Sequence, residues 1–242
     1  MTIRYIVRPP QILTTPRKLK EVLDARRTVN GAISRRIPTL DWVHDLFLYY
    51  PRLPNEVSEY TTVREFFSKD KGEQRNHLAE YVKTPNSYIS NTYVVRPRRH
   101  MGGQDFVVTE FGQTEINPYT HYVSPLFPKV KEYRVIFLKG VPIITLRKVF
   151  SQATPDPTLP WNHAQGATFN TIAGGHTASS LRHTSCISDL LNVPVVQHAH
   201  LIGVDVMMDT HNNYAVCEIN FCPSISIESN LNVIRDHLLP QA

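Results

Sequence analysis

The fold of this chain depends on the stretch Gly203-Val204-Asp205-Val206-Met207-Met208-Asp209-Thr210-His211-Asn212-Asn213-Tyr214-Ala215-Val216-Cys217-Glu218-Ile219-Asn220-Phe221-Cys222-Pro223-Ser224. Apolar residues run from Leu201 to Met208 and again from Tyr214 to Ile219, and the residues between these runs are typical of turns. Short apolar runs on either side of a turn indicate two strands that pair with each other. We therefore predict a β-hairpin over this segment.

Three polar side chains of the predicted hairpin are candidates for a metal site. Side chains alternate between the two faces of a strand, so Glu218 and Asn220 project to the same side, roughly 6.5 Å apart. Asp205 can reach that face from the neighbouring strand. Two carboxylates and an amide oxygen are hard ligands that suit Mg²⁺, which takes its other ligands from water and substrate phosphates. The alternative is the solvated face of an edge hairpin, although an exposed hairpin is seldom so apolar on both sides of its turn.

The composition is that of an ordinary globular protein, with 242 residues of which 41% are apolar and 19% are charged. No uncharged apolar run is long enough for a membrane span, and the first residues lack the apolar core of a signal peptide. Cys186, Cys217 and Cys222 are odd in number and have no metal-binding spacing, so we expect a reducing, cytoplasmic compartment. The net charge of +5 favours an anionic partner, which nucleotide phosphates and nucleic acid would satisfy equally.

The first 84 residues give weaker signals. A strand is predicted over Ile3–Val7, and a basic helix over about Pro16–Val29, whose charged face is either solvated or a nucleic-acid patch. The spacing of apolar residues predicts a helix over Thr61–Val82 with a break at Gly72. No Gly-x-Gly-x-x-Gly turn follows a strand, so we do not expect a full dinucleotide-binding unit.

A basic turn that contains two glycines separates two predicted strands in the middle of the chain. The strands are Tyr93–Pro97 and Phe106–Thr109, and the turn includes His100, Gly102 and Gly103 beside several arginines. A flexible loop of this kind can lay backbone N–H groups and cations over phosphates. An ordinary hairpin turn is the alternative.

A second hairpin is predicted over Glu132–Phe150, with a tight turn at Lys139-Gly140. Arg134 alternates with the apolar positions of its strand and therefore projects from the opposite face, where it meets either a carboxylate or a ligand. Glu132 lies on the same face, so an internal ion pair between Arg134 and Glu132 is one interpretation.

The polar segment 151–182 follows this hairpin, and loops of this length in a compact domain tend to be functional. Asn162 lies in this segment close to a glycine-bearing turn at Gly166, and its side chain can donate or accept hydrogen bonds. Helices are predicted over about Thr184–Leu191 and Ile227–Leu239.

In this order, the motifs resemble those of the ATP-grasp superfamily of carboxylate–amine ligases. The similarity is nearest to the glutathione-synthetase-like enzymes and the ribosomal-protein glutamate ligases, and it covers about residues 85 to 232. The motifs that carry it are Tyr93-Val94-Val95-Arg96-Pro97, Glu132-Tyr133-Arg134-Val135, Arg147-Lys148, Trp161-Asn162 through Gly166, Gly203-Val204-Asp205 and Glu218-Ile219-Asn220-x-x-Pro223-Ser224. The last two are the most specific in order and spacing.

The resemblance implies an α+β fold of the ATP-grasp type, in which two α+β subdomains clasp a nucleotide and a short N-terminal α/β region precedes them. The corresponding boundaries are 1–84 for the N-terminal region, 85–126 for the small lid subdomain and 127–242 for the C-terminal subdomain with the metal site. The implied cofactors are ATP and Mg²⁺, with two ions that bridge the phosphates.

The resemblance also implies roles for the residues of the reaction centre. Asp205, Glu218 and Asn220 match the family's metal ligands. Arg134 and Asn162 match positions that contact phosphate or metal, and Lys148 falls where a cation faces phosphate or substrate.

A further set of residues is expected to contact the nucleotide: Arg96, His100, Gly102 and Gly103 of the lid, and His121, Tyr122 and Val123 of the hinge beside adenine. The family usually has lysine where Arg96 stands, and arginine offers a wider planar fork than a point charge. Lys69 and Lys71 are the candidates for the family's earlier nucleotide-binding lysine.

Three functions remain open from the sequence. The first is an ATP-dependent ligase that joins the carboxylate and amine of amino-acid or peptide substrates through an acyl phosphate. The second is a small-molecule kinase on the same fold. The third is a nucleotide- or nucleic-acid-binding protein without ligase turnover, which the basic segment 16–29 would favour. Nucleic acid is the less favoured partner because aromatic residues such as Trp42 and Phe47 have the pattern of core residues rather than of an exposed stacking surface.

Overall fold

The computed structural model describes residues 3–6, 40–43, 57–99, 105–138, 140–150, 156, 158–162, 166–172, 181, 184–199, 201–220, 223, 230, 233–234 and 237. Helices and mainly antiparallel sheets confirm the predicted α+β class. The first two strands, β1 (Ile3–Ile6) and β2 (Leu40–Val43), pair in parallel.

Two antiparallel sheets make up the rest of the described strands. The three-stranded sheet has the order β4-β3-β5 and consists of β3 (Thr92–Pro97), β4 (Val107–Glu110) and β5 (His121–Pro125). The five-stranded sheet has the order β10-β9-β6-β7-β8 and consists of β6 (Lys131–Leu138), β7 (Val141–Phe150), β8 (Ala167–Thr171), β9 (Leu201–Met208) and β10 (Tyr214–Asn220). The predicted hairpin is thus confirmed as β9 and β10.

Four described α-helices accompany the sheets: α1 (Val57–Ser68), α2 (Lys71–Ala79), α3 (Cys186–Leu190) and α4 (Pro194–His198). A short 3₁₀-helix, Pro85–Ser87, precedes β3. The turn predicted between β6 and β7 is present, and Gly140 adopts a φ of +72° there, which glycine adopts without the strain of a Cβ.

The two faces of the five-stranded sheet differ in polarity. Side chains alternate along each strand, so the apolar and the charged residues can lie on opposite faces. One face is apolar and packs against α1, α3 and α4 to form the main core, with fully buried residues such as Val135, Val204 and Val216. The other face carries most of the charged side chains of these strands. The core therefore supports a sheet whose opposite face is available for polar chemistry.

The break between α1 and α2 lies at Lys69–Asp70, so its predicted position at Gly72 was wrong. Asp70 is the N-cap of α2 and forms a capping box with Glu73. Its carboxylate accepts from the Glu73 N–H at 3.0 Å, and the Glu73 carboxylate accepts from the Asp70 N–H at 2.9 Å. Gly72 lies in the first turn of α2, where an added Cβ would be 3.0 Å from the Cβ of Tyr122. The glycine therefore permits close packing of α2 on β5 and does not end a helix.

Other predictions lie outside the described residues, namely the basic helix at 16–29 and the lid residues His100, Gly102 and Gly103. The three-stranded sheet falls within 85–126 and the five-stranded sheet within 127–242, and the division into subdomains at these boundaries stays a prediction. None of the described helices combines the length and the apolar character needed to cross a membrane.

Candidate active site

The strand register brings the predicted site residues of the large sheet to one face. Glu218 pairs with Asp205 across β10 and β9, and Arg134 pairs with Asp205 across β6 and β9. Directly opposed residues of antiparallel strands point to the same face. Since β9 is an interior strand buried along its whole length, the alternative of a solvated edge hairpin does not hold for Asp205.

A β-bulge at Cys217 decides which way Glu218 points. The register of β10 and β9 shifts between Val216 and Glu218, so that Glu218 lies opposite Asp205. In a regular ladder that paired Cys217 with Asp205, Glu218 would lie opposite Val204, whose side chain belongs to the apolar core. A one-residue shift moves a side chain to the other face of a sheet. The bulge therefore places Glu218 on the charged face.

Gly203 provides room beside this cluster. It lies opposite Asn220 in the register, and an added Cβ would be 2.8 Å from the Cβ of Pro223 and 3.1 Å from Cδ of Arg134. A side chain at this position would displace Pro223 or the arginine. The glycine is thus required by the close approach of its neighbours, at an ordinary strand conformation.

Asp205 and Arg134 form a bidentate ion pair at the centre of the face. Arg134 donates from Nε to Oδ1 at 2.6 Å and from Nη2 to Oδ2 at 2.8 Å, while Lys148 Nζ lies 3.5 Å from Oδ2. Burial raises the pKa of Asp205, but the charges of Arg134 and Lys148 outweigh this effect and hold the pKa below its usual value. Asp205 is therefore an ionised carboxylate with both oxygens already engaged.

Glu132 forms a second ion-pair cluster with two lysines. Lys129 Nζ lies 2.9 Å from Oε2, and Lys148 Nζ donates to Oε1. The carboxylate partner of Arg134 is therefore Asp205, and the interpretation of an Arg134–Glu132 pair was wrong. Burial lowers the pKa of Lys148, but Asp205 and Glu132 outweigh it and raise the pKa, so this lysine stays protonated.

Glu218 and Asn220 form the more open end of the cluster. The Glu218 side chain retains 25% exposure, and its ion pair with Lys71 Nζ is longer, at 3.7 Å. Burial raises the pKa of Glu218, but Lys71, Arg96 and the cations of the sheet outweigh it and lower the pKa, so the carboxylate is ionised. Lys71 is one of the two lysines that the sequence offered as nucleotide ligands, and it begins α2.

The cluster as a whole carries an excess of positive charge. Five cations meet three carboxylates here: Lys71, Arg96, Lys129, Arg134 and Lys148 against Glu132, Asp205 and Glu218. The surplus of two positive charges favours an anionic ligand. Phe169 of β8 packs against two of the cations, with its ring centroid 4.7 Å from Arg134 Cζ and 5.6 Å from Lys148 Nζ.

The expected nucleotide-binding residues of the small sheet lie on β3 and β5. Arg96 is buried and pairs in register with Tyr122, so these side chains share a face. Burial is the main cause of a raised pKa at Tyr122, which stays a neutral phenol. His121 is half-buried and Val123 is exposed on β5, an edge strand. The Lys71 N–H donates to the carbonyl oxygen of Arg98 at 3.0 Å, so the end of β3 lies beside the lysine that pairs with Glu218.

Asn162 lies at the start of the segment that leads into β8, where its backbone carbonyl accepts from the Ala167 N–H at 3.0 Å. The role of its side chain at phosphate or metal stays a prediction. The sequence did not indicate Lys129 or Phe169 as site residues. Lys129 had a local signal, since it precedes Glu132 by three residues, whereas Phe169 had none.

The oxygen ligands fit Mg²⁺ best at the Glu218 end. Among the described residues, no three His, Cys, Asp or Glu side chains converge to bind a metal unaided. Mg²⁺ commonly takes one or two carboxylates from protein and completes its shell with water and phosphates. The Nδ2 atom of Asn220 is buried and makes no hydrogen bond with described residues, so this N–H₂ group can donate to an anionic ligand such as a phosphate oxygen, whereas a metal would take the amide oxygen. Asp205 would share its oxygens with Arg134 and Lys148.

No protein-family model and no curated protein matches the chain. Among solved structures, it is similar to the ATP-grasp ligase PsnB complexed with a phosphomimetic variant of a minimal precursor, Mg and ADP, with a TM-score of 0.47 and 14% identity over 92% of this chain and 69% of that chain. It is also similar to D-cycloserine synthetase DcsG (TM-score 0.45, 14% identity, 91% of this chain and 81% of that chain).

A third similar structure is the D-alanine–D-alanine ligase from Bacillus anthracis complexed with ATP (TM-score 0.47, 11% identity, 92% of this chain and 87% of that chain). The matched structures thus include an ATP-grasp ligase, from the superfamily whose motifs the sequence resembles.

Proposed function

We propose that this protein is an ATP-dependent ligase that joins a carboxylate to an amine through an acyl phosphate, with Mg²⁺ at Glu218, Asn220 and Asp205. The observation that supports the proposal is the convergence of these three oxygen-bearing residues with two largely buried cations, Arg134 and Lys148, on one face of the large sheet. The proposed substrates are amino acids or peptides.

The charged face suits phosphoryl transfer because that reaction needs positioned cations more than covalent help from the protein. The pair with Asp205 uses Nε and Nη2 of Arg134, so Nη1 lies outside this fork and can donate to a phosphate oxygen. Lys148 contributes a second positive charge, which its two carboxylate partners hold in position. When bound, Mg²⁺ neutralises the charge that develops on the phosphates.

The positions of these cations are restricted before any ligand binds. Glu132 and Asp205 fix Lys148 from two sides, and the Phe169 ring covers both cations. Donors that are held in place in a buried site need little rearrangement when negative charge spreads in the transition state. Arg96 and Tyr122, side by side on the small sheet, are the proposed contacts for the nucleotide.

The test is the release of ADP and phosphate when the protein is incubated with Mg-ATP and pooled amino acids or peptides, with and without hydroxylamine. A ligase should release ADP in a pool-dependent manner, and hydroxylamine should trap the acyl phosphate as a hydroxamate. Glu218→Gln should abolish most of this signal. The control Glu115→Gln, at an exposed position between β4 and β5, should not change it.

Each alternative outcome identifies a different function. ADP release with a stable phosphorylated product and no hydroxamate would identify a kinase. ATP binding without turnover on any pool would contradict the ligase proposal and favour a nucleotide-binding protein. A salt-dependent shift of nucleic acid in a gel would then identify nucleic acid as the partner.

A further inference from the structure

Helix α2 lies between the two sheets and contacts both. At its first turn, Gly72 approaches Tyr122 of β5 so closely that an added Cβ would be 3.0 Å from the tyrosine Cβ. One turn later, Arg75 is 5% exposed and points its guanidinium at residues of both sheets. An arginine this deeply buried is fixed by its partners.

The guanidinium of Arg75 bridges β5 and β10. Its Nη1 donates to Ser124 Oγ of β5 at 2.7 Å, and its Nη2 donates to the carbonyl oxygen of Cys217 of β10 at 3.2 Å. Its Cζ also lies 5.2 Å from the ring centroid of Tyr122. The planar fork of arginine can hold two such acceptors in one fixed geometry, which the single ammonium of lysine cannot reproduce.

The carbonyl that Arg75 binds belongs to the β-bulge. Cys217 is the extra residue at which the register of β10 shifts, and residues of a bulge are left out of the regular ladder of hydrogen bonds. The next residue is Glu218, whose orientation depends on this bulge. Lys71, four residues before Arg75 and on the same helix face, forms the ion pair with Glu218. Two neighbouring positions of α2 therefore contact two neighbouring positions of β10.

We propose that Arg75 is a positioning residue that clamps the Cys217 bulge against β5 and thereby sets the orientation of Glu218. The clamp fixes the large sheet, with the proposed metal ligand, relative to the strand that carries Tyr122. The kinetic part of this proposal rests on the proposed function, because it concerns the proposed role of Glu218. The structural part concerns the protein without substrate and can be tested separately.

Hydrogen–deuterium exchange tests the structural part. In Arg75→Met, the amides of Tyr214–Asn220 should exchange about tenfold faster than in the wild type, because the bulge carbonyl loses its donor. Arg75→Lys should restore only part of the protection, and Arg147→Met, which removes an exposed arginine of β7, should leave it unchanged. If Arg75→Met does not fold, Ser124→Ala removes one arm of the clamp and should give a smaller acceleration at the same amides. Unchanged exchange at Tyr214–Asn220 in the folded variants would overturn the proposal.

Steady-state kinetics test the functional part. Arg75→Met should lower kcat about tenfold while the KM for ATP changes less, and the same substitution in a Glu218→Gln background should lower kcat no further. Equal losses in both backgrounds would show that Arg75 does not act through Glu218 and would overturn this part. A wild-type protein without turnover would contradict the proposed function, whereas the exchange measurement would still decide whether the clamp exists.

Discussion

Two carboxylates on the same face of the large sheet, Asp205 and Glu218, have very different surroundings. Asp205 is 2% exposed and receives three nitrogen contacts within 3.5 Å, two of them from the Arg134 fork. Glu218 is opposite Asp205 in the register, but its side chain is 25% exposed and its ion pair with Lys71 is longer, at 3.7 Å. The difference indicates that Asp205 mainly organises the cations, whereas Glu218 has capacity for a ligand.

The largest effect on stability is expected from Asp205→Asn. The substitution leaves Arg134 without its carboxylate partner and Lys148 with Glu132 alone. Removal of one partner from a buried ion pair typically costs about 3–5 kcal/mol. Glu218→Gln, the corresponding change at the open end, should cost less, because the ion pair of Glu218 with Lys71 is longer and its side chain is partly exposed. Urea unfolding of both variants measures the contrast, and equal losses of stability would remove the distinction between the two ends.

Glu218→Gln is expected to lower ATP turnover on the order of a hundredfold while the fold stays intact. The loss of a metal contact removes several kcal/mol of transition-state stabilisation, and about 1.4 kcal/mol corresponds to a tenfold change in rate. Initial rates of ADP release and far-ultraviolet circular dichroism measure the two properties. A turnover within a few-fold of the wild type would remove Glu218 from the site.

A smaller effect is expected from Gly203→Ala, which adds a methyl group between the two ends. The new Cβ would be 2.8 Å from Pro223 and 3.1 Å from Arg134, so one of them must move. Overpacking of this kind typically costs about 1–3 kcal/mol. Thermal unfolding should show a lower Tm for the variant. A variant as stable as the wild type would contradict this expectation and would mean that Pro223 or Arg134 can move at little energetic cost.

A lower pH should reduce the unfolding free energy of the wild type more than that of Glu218→Gln, and this is the smallest of the expected effects. Burial raises the pKa of Glu218, but the nearby cations outweigh this effect and lower the pKa well below its ordinary value. A carboxylate whose pKa is lower in the folded state adds stability above the unfolded pKa, and this contribution is lost as the pH falls. The unfolding free energy of the wild type should therefore drop more steeply than that of the variant below about pH 4.5. Parallel curves would contradict this sign.

The sequence predicted the hairpin of β9 and β10 well because both strands are apolar and the turn between them is polar. Its bounds, Leu201–Met208 and Tyr214–Asn220, differ from the prediction by a single residue at the end of β10. The shared face of Asp205 and Glu218 depends on the bulge at Cys217, and no local pattern in the sequence marks that bulge. Residue types therefore suggested the site, whereas its register required the structure.

The partners of the charged residues were harder to predict. Arg134 could have paired with Glu132, two residues before it. In the structure, the neighbouring strand supplies Asp205, which forms a bidentate ion pair with Arg134. The contact between Arg75 and Cys217 joins residues that are 142 positions apart, and no spacing rule reaches so far. The helix break is set by the capping box of Asp70 and Glu73, whose residue types and spacing are present in the sequence. Glycine is a common interruption of helices, and for this reason the sequence pattern favours Gly72.

The most direct test of the central claim is calorimetric titration of ATP into the wild type and Glu218→Gln, each with and without Mg²⁺. If Glu218 holds the metal, Mg²⁺ should strengthen ATP binding to the wild type by about tenfold or more, and the variant should lose this gain while it binds metal-free ATP as before. An equal gain from Mg²⁺ in both proteins would contradict the claim that this face of the sheet binds a magnesium–nucleotide complex through Glu218.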